Sequence, residues 1–223
     1  QIARGLVKLG IVNFSISLDG STQQSHEKIR RIPGCFEKTL AGLQAARTTG
    51  VCVQINFTAM KQNLSELPLV IDLAESLKVD LFMIFQSIPP CQERGAAELG
   101  PEEQRHLLEV IREKQRKSRF LLMPVCSPEY WPLIAGQNGK NQLKKSLLQS
   151  AFSGCGAGRG FCYIRFDGDV WPCNFIPVAA GNVRHTPLPE IWRHSPLFDQ
   201  FRDTPRTLQG ECGKCAQNPI CGG

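Results

Sequence analysis

Hydrophobic and polar residues alternate in two short stretches near the beginning of the chain. In residues 10–20 and 51–58 every second side chain is apolar, which is the periodicity of a β-strand with two unlike faces. The apolar sets are Val12, Phe14, Ile16 and Leu18 in the first stretch, and Val51, Val53, Ile55 and Phe57 in the second. Residues 80–86 are predicted as a third strand, and residues 120–123 as a short fourth one.

Segments with helical periodicity separate these strands. Residues 34–50 place Phe36, Leu40 and Leu43 on one face and end at Gly50, as a helix often does. A second helix is predicted over residues 64–78 and a third over residues 100–117. Strands and helices that repeat every 30–40 residues or so need parallel crossovers, so we predict an α/β fold with a parallel sheet or barrel.

The two alternating strands carry polar residues on one complete face. The polar residues are Asn13, Ser15, Ser17 and Asp19 in the first strand, and Cys52, Gln54, Asn56 and Thr58 in the second. A half-exposed antiparallel strand would also alternate, but the intervening helices argue against it. We therefore interpret the polar face as the lining of a barrel lumen that receives a polar ligand, unlike an ordinary apolar barrel interior.

The composition of the chain changes after the barrel-like region. Residues 124–150 are irregular and predict a linker, whereas residues 155–173 predict two short strands around an Asp-Gly turn. Gly181-Asn182 is predicted as another tight turn, and residues 188–203 as a helix with Ile191 and Trp192 buried. The predicted domains are 1–125, the linker 126–150, and a small cysteine-rich domain over 151–223.

Charge and hydropathy exclude several classes of protein. The 223 residues are 42% hydrophobic and carry a formal charge of +6, with the basic residues spread along the chain. No basic cluster is interleaved with aromatic residues, so we expect no nucleic-acid partner. No apolar run approaches the roughly 20 residues of a membrane span, so we expect no membrane insertion. A cysteine pattern that favours metal binding over disulfides indicates a reducing, cytoplasmic location.

Cysteines provide the main candidate chemistry. Six of the ten lie in the last third of the chain, namely Cys155, Cys162, Cys173, Cys212, Cys215 and Cys221. Clustering with a C-x2-C spacing favours a metal site over disulfides or inert buried thiols. Zinc would need a second cysteine pair or paired histidines. Two separate runs of three thiols suit iron–sulfur clusters better, although each 4Fe–4S cluster needs four ligands.

Several motifs give the chain a resemblance to radical S-adenosylmethionine (SAM) enzymes with a C-terminal SPASM domain. The segments that carry it are "SISLDG", "HEKIRRIPGCFEKTLAGLQAARTTGVCVQINFT", "MKQN" and "IPPCQERG", followed by the tail "CGAGRGFCYIRFDGDVWPCNFIPVAAGNVRHTPLPEIW" and "CGKCAQNPICGG". Within that superfamily the tail is most similar to the enzymes of haem and haem d1 biosynthesis. The peptide-modifying members, of the pyrroloquinoline quinone and mycofactocin types, share much of the same tail.

The resemblance implies a partial (β/α) barrel followed by a SPASM/twitch domain with a β-hairpin, and it implies specific ligands. Cys155, Cys162 and Cys173 would hold one auxiliary 4Fe–4S cluster, and Cys212, Cys215 and Cys221 a second one. Ser15, Ser17, Asp19 and Asn56 would face S-adenosyl-L-methionine. The implied function is a radical SAM oxidoreductase acting on a tetrapyrrole, with a flavodoxin or ferredoxin as the electron donor.

The family's C-x3-C-x2-C loop, which holds the SAM-cleaving cluster, does not occur in these residues. We therefore expect this chain to be a fragment that lacks the loop, inactive alone, with further cluster ligands beyond Gly223. Two alternative functions stay open: a radical SAM maturase that acts on a ribosomal peptide, and a non-catalytic structural metal-binding module. No catalytic residue is assigned. Cys126 and the pair Arg30 and Arg31 are weaker candidates, and the arginines are expected on a solvated face.

Overall fold

Four parallel strands in sequential order form the larger of two sheets. They are β1 (Asn13–Ser17), β2 (Cys52–Ala59), β3 (Leu81–Gln86) and β4 (Leu121–Val125). Each strand is hydrogen-bonded to the next one along the chain, so every connection is a parallel crossover. The predicted α/β fold with a parallel sheet is confirmed, and all four predicted strands are present.

The computed structural model describes residues 2–87, 98–130, 132–133, 155–203 and 208–222. These residues belong to two compact units, Gln1–Ser127 and Pro128–Gly223, which are described separately. Most of the predicted linker over 126–150 lies outside the described residues, as does Cys91 of the "IPPCQERG" segment. The predicted domain boundaries therefore stay predictions.

Helices connect the strands of the first unit. They are α1 (Ile2–Lys8), α2 (Gln23–Arg30), α3 (Cys35–Arg47), α4 (Leu67–Ser76), which follows a 3-10 turn at Leu64–Glu66, and α5 (Pro101–Gln115). The last three match the predicted helices with tighter bounds. Sequence analysis missed α2, which begins at a capping box formed by Thr22 and Ser25. In α5, Glu102 and Glu103 in the first turn and Arg112 and Lys114 in the last complement the helix dipole.

The core of this unit lies on one face of the sheet. Its fully buried residues are Val53, Ile55, Phe57, Phe82, Ile84 and Leu122 from the strands, and Leu43, Leu67, Val70, Ile71, Leu107 and Ile111 from the helices. The ring of Phe82 stacks on Phe120, with ring centroids 6.1 Å apart. Because these apolar side chains are buried against the helices, the other face of each strand is turned away from the helices.

The opposite face of the sheet is divided into a polar and an apolar half. On β1 and β2 it carries the predicted polar residues, and the register pairs Ser15 with Gln54 and Ser17 with Asn56. On β3 and β4 the corresponding residues are apolar and only partly buried or exposed: Leu81, Met83, Phe85, Leu121 and Met123. The polar residues thus share one face, at the side of the sheet formed by β1 and β2.

A three-stranded antiparallel sheet forms the centre of the second unit. Its strands are β5 (Tyr163–Ile164), β6 (Asp169–Trp171) and β7 (Gly181–Asn182), and the Asp-Gly turn joins the first two as predicted. Gly181-Asn182, predicted as a tight turn, instead forms β7. The side chain of Asn182 donates to Asp169 Oδ1 at 2.9 Å and so ties β7 to β6.

Short helices complete the second unit: α6 (Leu188–His194), α7 (Pro196–Asp203), α8 (Gly210–Lys214) and α9 (Asn218–Cys221). The helix predicted over 188–203 is interrupted at Ser195, which has an extended backbone before Pro196. Val170, Ile191 and Phe198 form the buried core, and Cys162 and Trp192 pack against it. The predicted burial of Ile191 is correct, but Trp192 is only partly buried. Among the described residues, no helix is long and apolar enough to cross a membrane.

Adjacent leucines on β4 test the assignment of the two sheet faces. Leu122 is fully buried, whereas Leu121 is 43% exposed. Because the Leu122→Ala change leaves a cavity in the core, it should lower the free energy of unfolding by about 2–5 kcal/mol. Leu121→Ala is the matched control and should have a much smaller effect. Urea unfolding of both variants measures the difference, and equal losses would contradict the assignment.

Candidate functional site

The carboxylate of Asp19 joins three elements at the carboxyl ends of β1 and β2. Asp19 is 2% exposed. Its Oδ1 accepts a hydrogen bond from the backbone N–H of Thr58 at 2.8 Å, and its Oδ2 lies 2.6 Å from Nη2 of Arg30 on α2. A buried carboxylate is costly unless it is paired and hydrogen-bonded. Both oxygens of Asp19 have such partners.

Two buried polar side chains hold the backbone around Asp19. The N–H of Asp19 donates to Nδ1 of His26 at 3.1 Å, and its carbonyl accepts from Nδ2 of Asn63 at 3.0 Å. Asn63 also donates to the carbonyl of Thr58, and its Oδ1 accepts from the N–H of Met60. The ends of β1 and β2 are therefore bound to each other through side chains as well as through the sheet.

Gly20 allows helix α2 to approach the end of β1. A Cβ atom at this position would lie 2.4 Å from the backbone nitrogen of His26. A larger residue would push α2 away and separate His26 and Arg30 from Asp19. The glycine of the "SLDG" segment is therefore explained by close packing.

Glu66 forms a second connection at the same edge of the sheet. Its Oε2 accepts hydrogen bonds from the N–H and the hydroxyl of Ser21, both at 2.8 Å, and from the hydroxyl of Ser25 at 2.7 Å. Partial burial alone would raise the pKa of this carboxyl, but the three hydrogen bonds outweigh burial and lower it. The bonds stabilise the ionised form and fix the loop after Asp19.

The predicted SAM-facing residues Ser15, Ser17 and Asn56 lie together on the polar half of the sheet. Gln54 is buried beside them and donates from Nε2 to Asn56 Oδ1 at 2.5 Å, while its Oε1 accepts from Asn13 at 3.4 Å. In the described part of the chain, the hydroxyls of both serines and the amide nitrogen of Asn56 make no hydrogen bond. These groups are available to a polar ligand.

Asp19 has a different position from the one expected. It was predicted to face SAM together with the two serines, but its carboxylate is buried and engaged by Thr58 and Arg30. Arg30, expected on a solvated face, is the ion-pair partner. Sequence reasoning also missed His26, Asn63 and Glu66. His26 and Arg30 are four residues apart, so they lie on one face of α2, and that spacing after Asp19 was the available signal.

The cysteines of the first group, Cys155, Cys162 and Cys173, have two kinds of surroundings. Cys155 is exposed, and its sulfur accepts a hydrogen bond from the N–H of Ala157 at 3.5 Å. The thiol of Cys173 is 3.3 Å from Oδ1 of Asn174. Cys162 instead packs against the Val170, Ile191 and Phe198 core, and this burial raises the pKa of its thiol. Since a cluster ligand must be a thiolate, its surroundings favour Cys155 and Cys173 over Cys162.

The second group occupies two short helices. Cys212 lies on α8, Cys215 ends that helix, and Cys221 lies on α9. Cys212 and Cys215 are exposed, and the sulfur of Cys215 accepts a hydrogen bond from the N–H of Gln217 at 3.4 Å. An N–H directed at sulfur stabilises the thiolate form that iron binds.

The donor set suits iron, but the described residues do not bring it together. Each group has one sulfur that already receives a backbone N–H, and none of the nine cysteines in the described part of the chain is in a disulfide. Within the described residues, no three metal-binding side chains lie close enough to hold one ion. The expected trio of Cys155, Cys162 and Cys173 is therefore not brought together, and Cys162 packs against the apolar core.

Comparison with known proteins finds similarity along the whole chain. Residues 155–216 match the SPASM family, an iron–sulfur cluster-binding domain. The chain is 33% identical to the AdoMet-dependent heme synthase of Methanosarcina barkeri over 100% of its length and 65% of that protein. It is 29% identical to the mycofactocin maturase MftC of Mycobacterium tuberculosis, with 100% of this chain and 55% of that protein covered.

The fold agrees with that of solved structures. The structures of Streptococcus suis SuiB bound to S-adenosylmethionine and to the precursor peptide SuiA have TM-scores of 0.66 and 0.65. Each is 18% identical and covers 95% of this chain and 48% of the SuiB chain. The chain therefore shares the fold of these solved structures, and its residues 155–216 match the SPASM domain. It spans 65%, 59% and 60% of the length of three AdoMet-dependent heme synthases.

Replacement of Arg30 tests its ion pair with the buried carboxylate of Asp19, in which Arg30 itself is 36% exposed. Arg30→Met leaves this carboxylate with a single hydrogen-bond donor, so the free energy of unfolding should fall by about 1–3 kcal/mol. Arg47→Met makes the same replacement in the exposed pair with Asp80, whose side chains are 34% and 45% exposed. The control should lose at most about 1 kcal/mol in urea unfolding. Similar losses in the two variants would show that Arg30 is an ordinary surface residue.

Proposed function

We propose that the intact protein is a radical SAM oxidoreductase that acts on a tetrapyrrole in haem or haem d1-like biosynthesis. The observation that carries the proposal is the similarity to an AdoMet-dependent heme synthase along the whole chain, at 33% identity. The charge of +6 suits a substrate with several carboxylates. Flavodoxin or ferredoxin is the class of electron donor that this chemistry needs.

Ser15, Ser17 and Asn56 are proposed to bind SAM. The three side chains lie on adjacent, hydrogen-bonded strands, and they present two hydroxyls and one amide nitrogen that make no hydrogen bond within the described residues. Such groups suit the hydroxyl, amino and carboxylate groups of SAM. Asp19 supports this site indirectly, because its carboxylate fixes the ends of the two strands. An iron–sulfur cluster would supply the electron that cleaves SAM.

The cysteine groups are proposed to hold auxiliary 4Fe–4S clusters. Cys155 and Cys173 are the proposed ligands in the first group, and Cys212, Cys215 and Cys221 those in the second. The absence of disulfides among these cysteines and the N–H groups directed at Cys155 and Cys215 support the proposal. Cys162, which was predicted as a ligand, is assigned to packing because it adjoins the core of the second unit.

A peptide maturase is the second candidate. The similarity to mycofactocin maturase MftC also extends along the whole chain, at 29% identity. The two candidates share the proposed SAM and cluster sites, so they differ only in the substrate. A substrate assay therefore separates them.

Formation of 5′-deoxyadenosine tests the proposed activity. The intact protein, reconstituted without oxygen and given SAM and a reductant, should form it faster when a tetrapyrrole with propionate side chains is added. A precursor-type peptide should give no stimulation. Stimulation by the peptide alone would support the maturase, and iron binding without SAM cleavage would support a structural module. Chromatography of the nucleoside product provides the measurement.

Matched alanine variants test the ligands of the first auxiliary cluster. Cys173→Ala should remove most of the iron and sulfide bound by this group, because one thiolate ligand is lost. Cys162→Ala, which changes the residue just before β5, should keep the metal content of the unchanged protein. Iron and sulfide are measured per chain after anaerobic reconstitution. Loss of iron in Cys162→Ala, with Cys173→Ala unchanged, would reverse the assignment.

A further inference from the structure

His26 is a buried titratable residue that neither proposed site uses directly. It is 1% exposed and lies on α2, with its ring packed at a centroid distance of 5.8 Å from Phe36 of α3. Its Nδ1 accepts the hydrogen bond from the backbone N–H of Asp19 at 3.1 Å. An imidazole nitrogen that accepts a hydrogen bond carries no proton, so His26 is neutral with its proton on Nε2.

The charged groups around His26 oppose one another. Burial is the largest effect and lowers the pKa of His26 below 6.5. Asp19, from the end of β1, raises it; Arg30, on the same helix, lowers it; and Glu27, also on α2, raises it. From α3 the packed group is the uncharged ring of Phe36. The neutral form is therefore favoured at neutral pH by geometry and by burial.

The bond from Asp19 to His26 controls the strand end that carries Ser17. Asp19 follows Ser17 by two residues, and the intervening Leu18 donates from its N–H to the carbonyl of Asn56 at 2.9 Å. The carboxylate of Asp19 holds Thr58, two residues after Asn56. Asp19 thus joins the two segments that follow Ser17 and Asn56, and His26 fixes the backbone of Asp19.

We propose that neutral His26 is a positioning residue for the SAM site and that its protonation loosens this site. A proton on Nδ1 would face the N–H of Asp19, so the hydrogen bond would be lost and two donors would oppose each other. The proposal rests on the proposed binding of SAM by Ser17 and Asn56. The stabilisation by neutral His26 is complete above pH 6.5. It is lost as the pH falls from 6.5 toward the lower pKa that His26 has in the folded state.

Two variants of nearly equal size isolate the hydrogen bond. His26→Asn retains an acceptor, because Asn Oδ1 can take the place of Nδ1, whereas His26→Leu has a similar shape and no acceptor. Both remove the ring and its packing against Phe36. A difference between them therefore reports the bond to Asp19 and not the loss of volume.

Hydrogen exchange of the Asp19 amide in this chain is the first measurement. After correction for intrinsic exchange, protection in the unchanged chain should fall between a pH of about 7.5 and a second pH well below 6.5. His26→Asn should be protected at both pH values and His26→Leu at neither. If the two variants match each other, His26 acts by packing alone. If neither variant folds, 15N shifts of the imidazole in the unchanged chain decide: a protonated Nδ1 at neutral pH overturns the proposal.

SAM affinity of the intact protein is the second measurement. The unchanged protein should bind SAM about tenfold more weakly at the lower pH, the usual scale for losing one hydrogen bond. His26→Asn should bind equally at both pH values, and His26→Leu should bind weakly at both. Equal affinity and equal pH dependence in all three proteins would overturn the positioning role. Absence of SAM binding by the unchanged protein at every pH would instead overturn the proposed SAM site, while the exchange data still test the bond between His26 and Asp19.

Discussion

The buried carboxylate of Asp19 is the constraint on which the candidate site of the first unit depends. Removing a charge from water costs several kcal/mol, so the position is stable only when every partner is in place. Thr58 from β2, Arg30 and His26 from α2, and Asn63 from the loop after β2 all converge on this one residue. The alignment of Ser17 with Asn56 follows from that convergence.

In the second unit most of the candidate reactive groups, the cysteines, lie outside the core, whereas Asp19 of the first unit is buried. The sheet of the second unit is small, and its core consists of Val170, Ile191 and Phe198 with a few partly buried neighbours. Five of its six cysteines lie outside that core on loops or short helices, where backbone N–H groups reach two of the sulfurs. Thiols at such positions are accessible to iron, whereas Cys162 packs against the core, where burial raises the pKa of its thiol.

The alternation in the first two strands was a reliable guide because its cause is local. Successive side chains of a strand point to opposite faces. The sequence alone therefore predicts that Ser15 and Ser17 share one face of β1, and that Gln54 and Asn56 share one face of β2. The same reasoning failed for Asp19, which continues the alternation but lies beyond the last residue of β1. Past the end of the strand, the loop and α2 determine where a side chain points.

The sequence by itself determined the α/β order of elements, the polar face of the first two strands and the cysteine-rich character of the last third. These properties depend on periodicity and spacing within short segments. Only the tertiary structure decided that Arg30 pairs with Asp19, that His26 is buried, and that Cys162 joins the core instead of Cys155 and Cys173. Each of these contacts joins elements that are distant in sequence or separated by a turn, and packing between elements selects them.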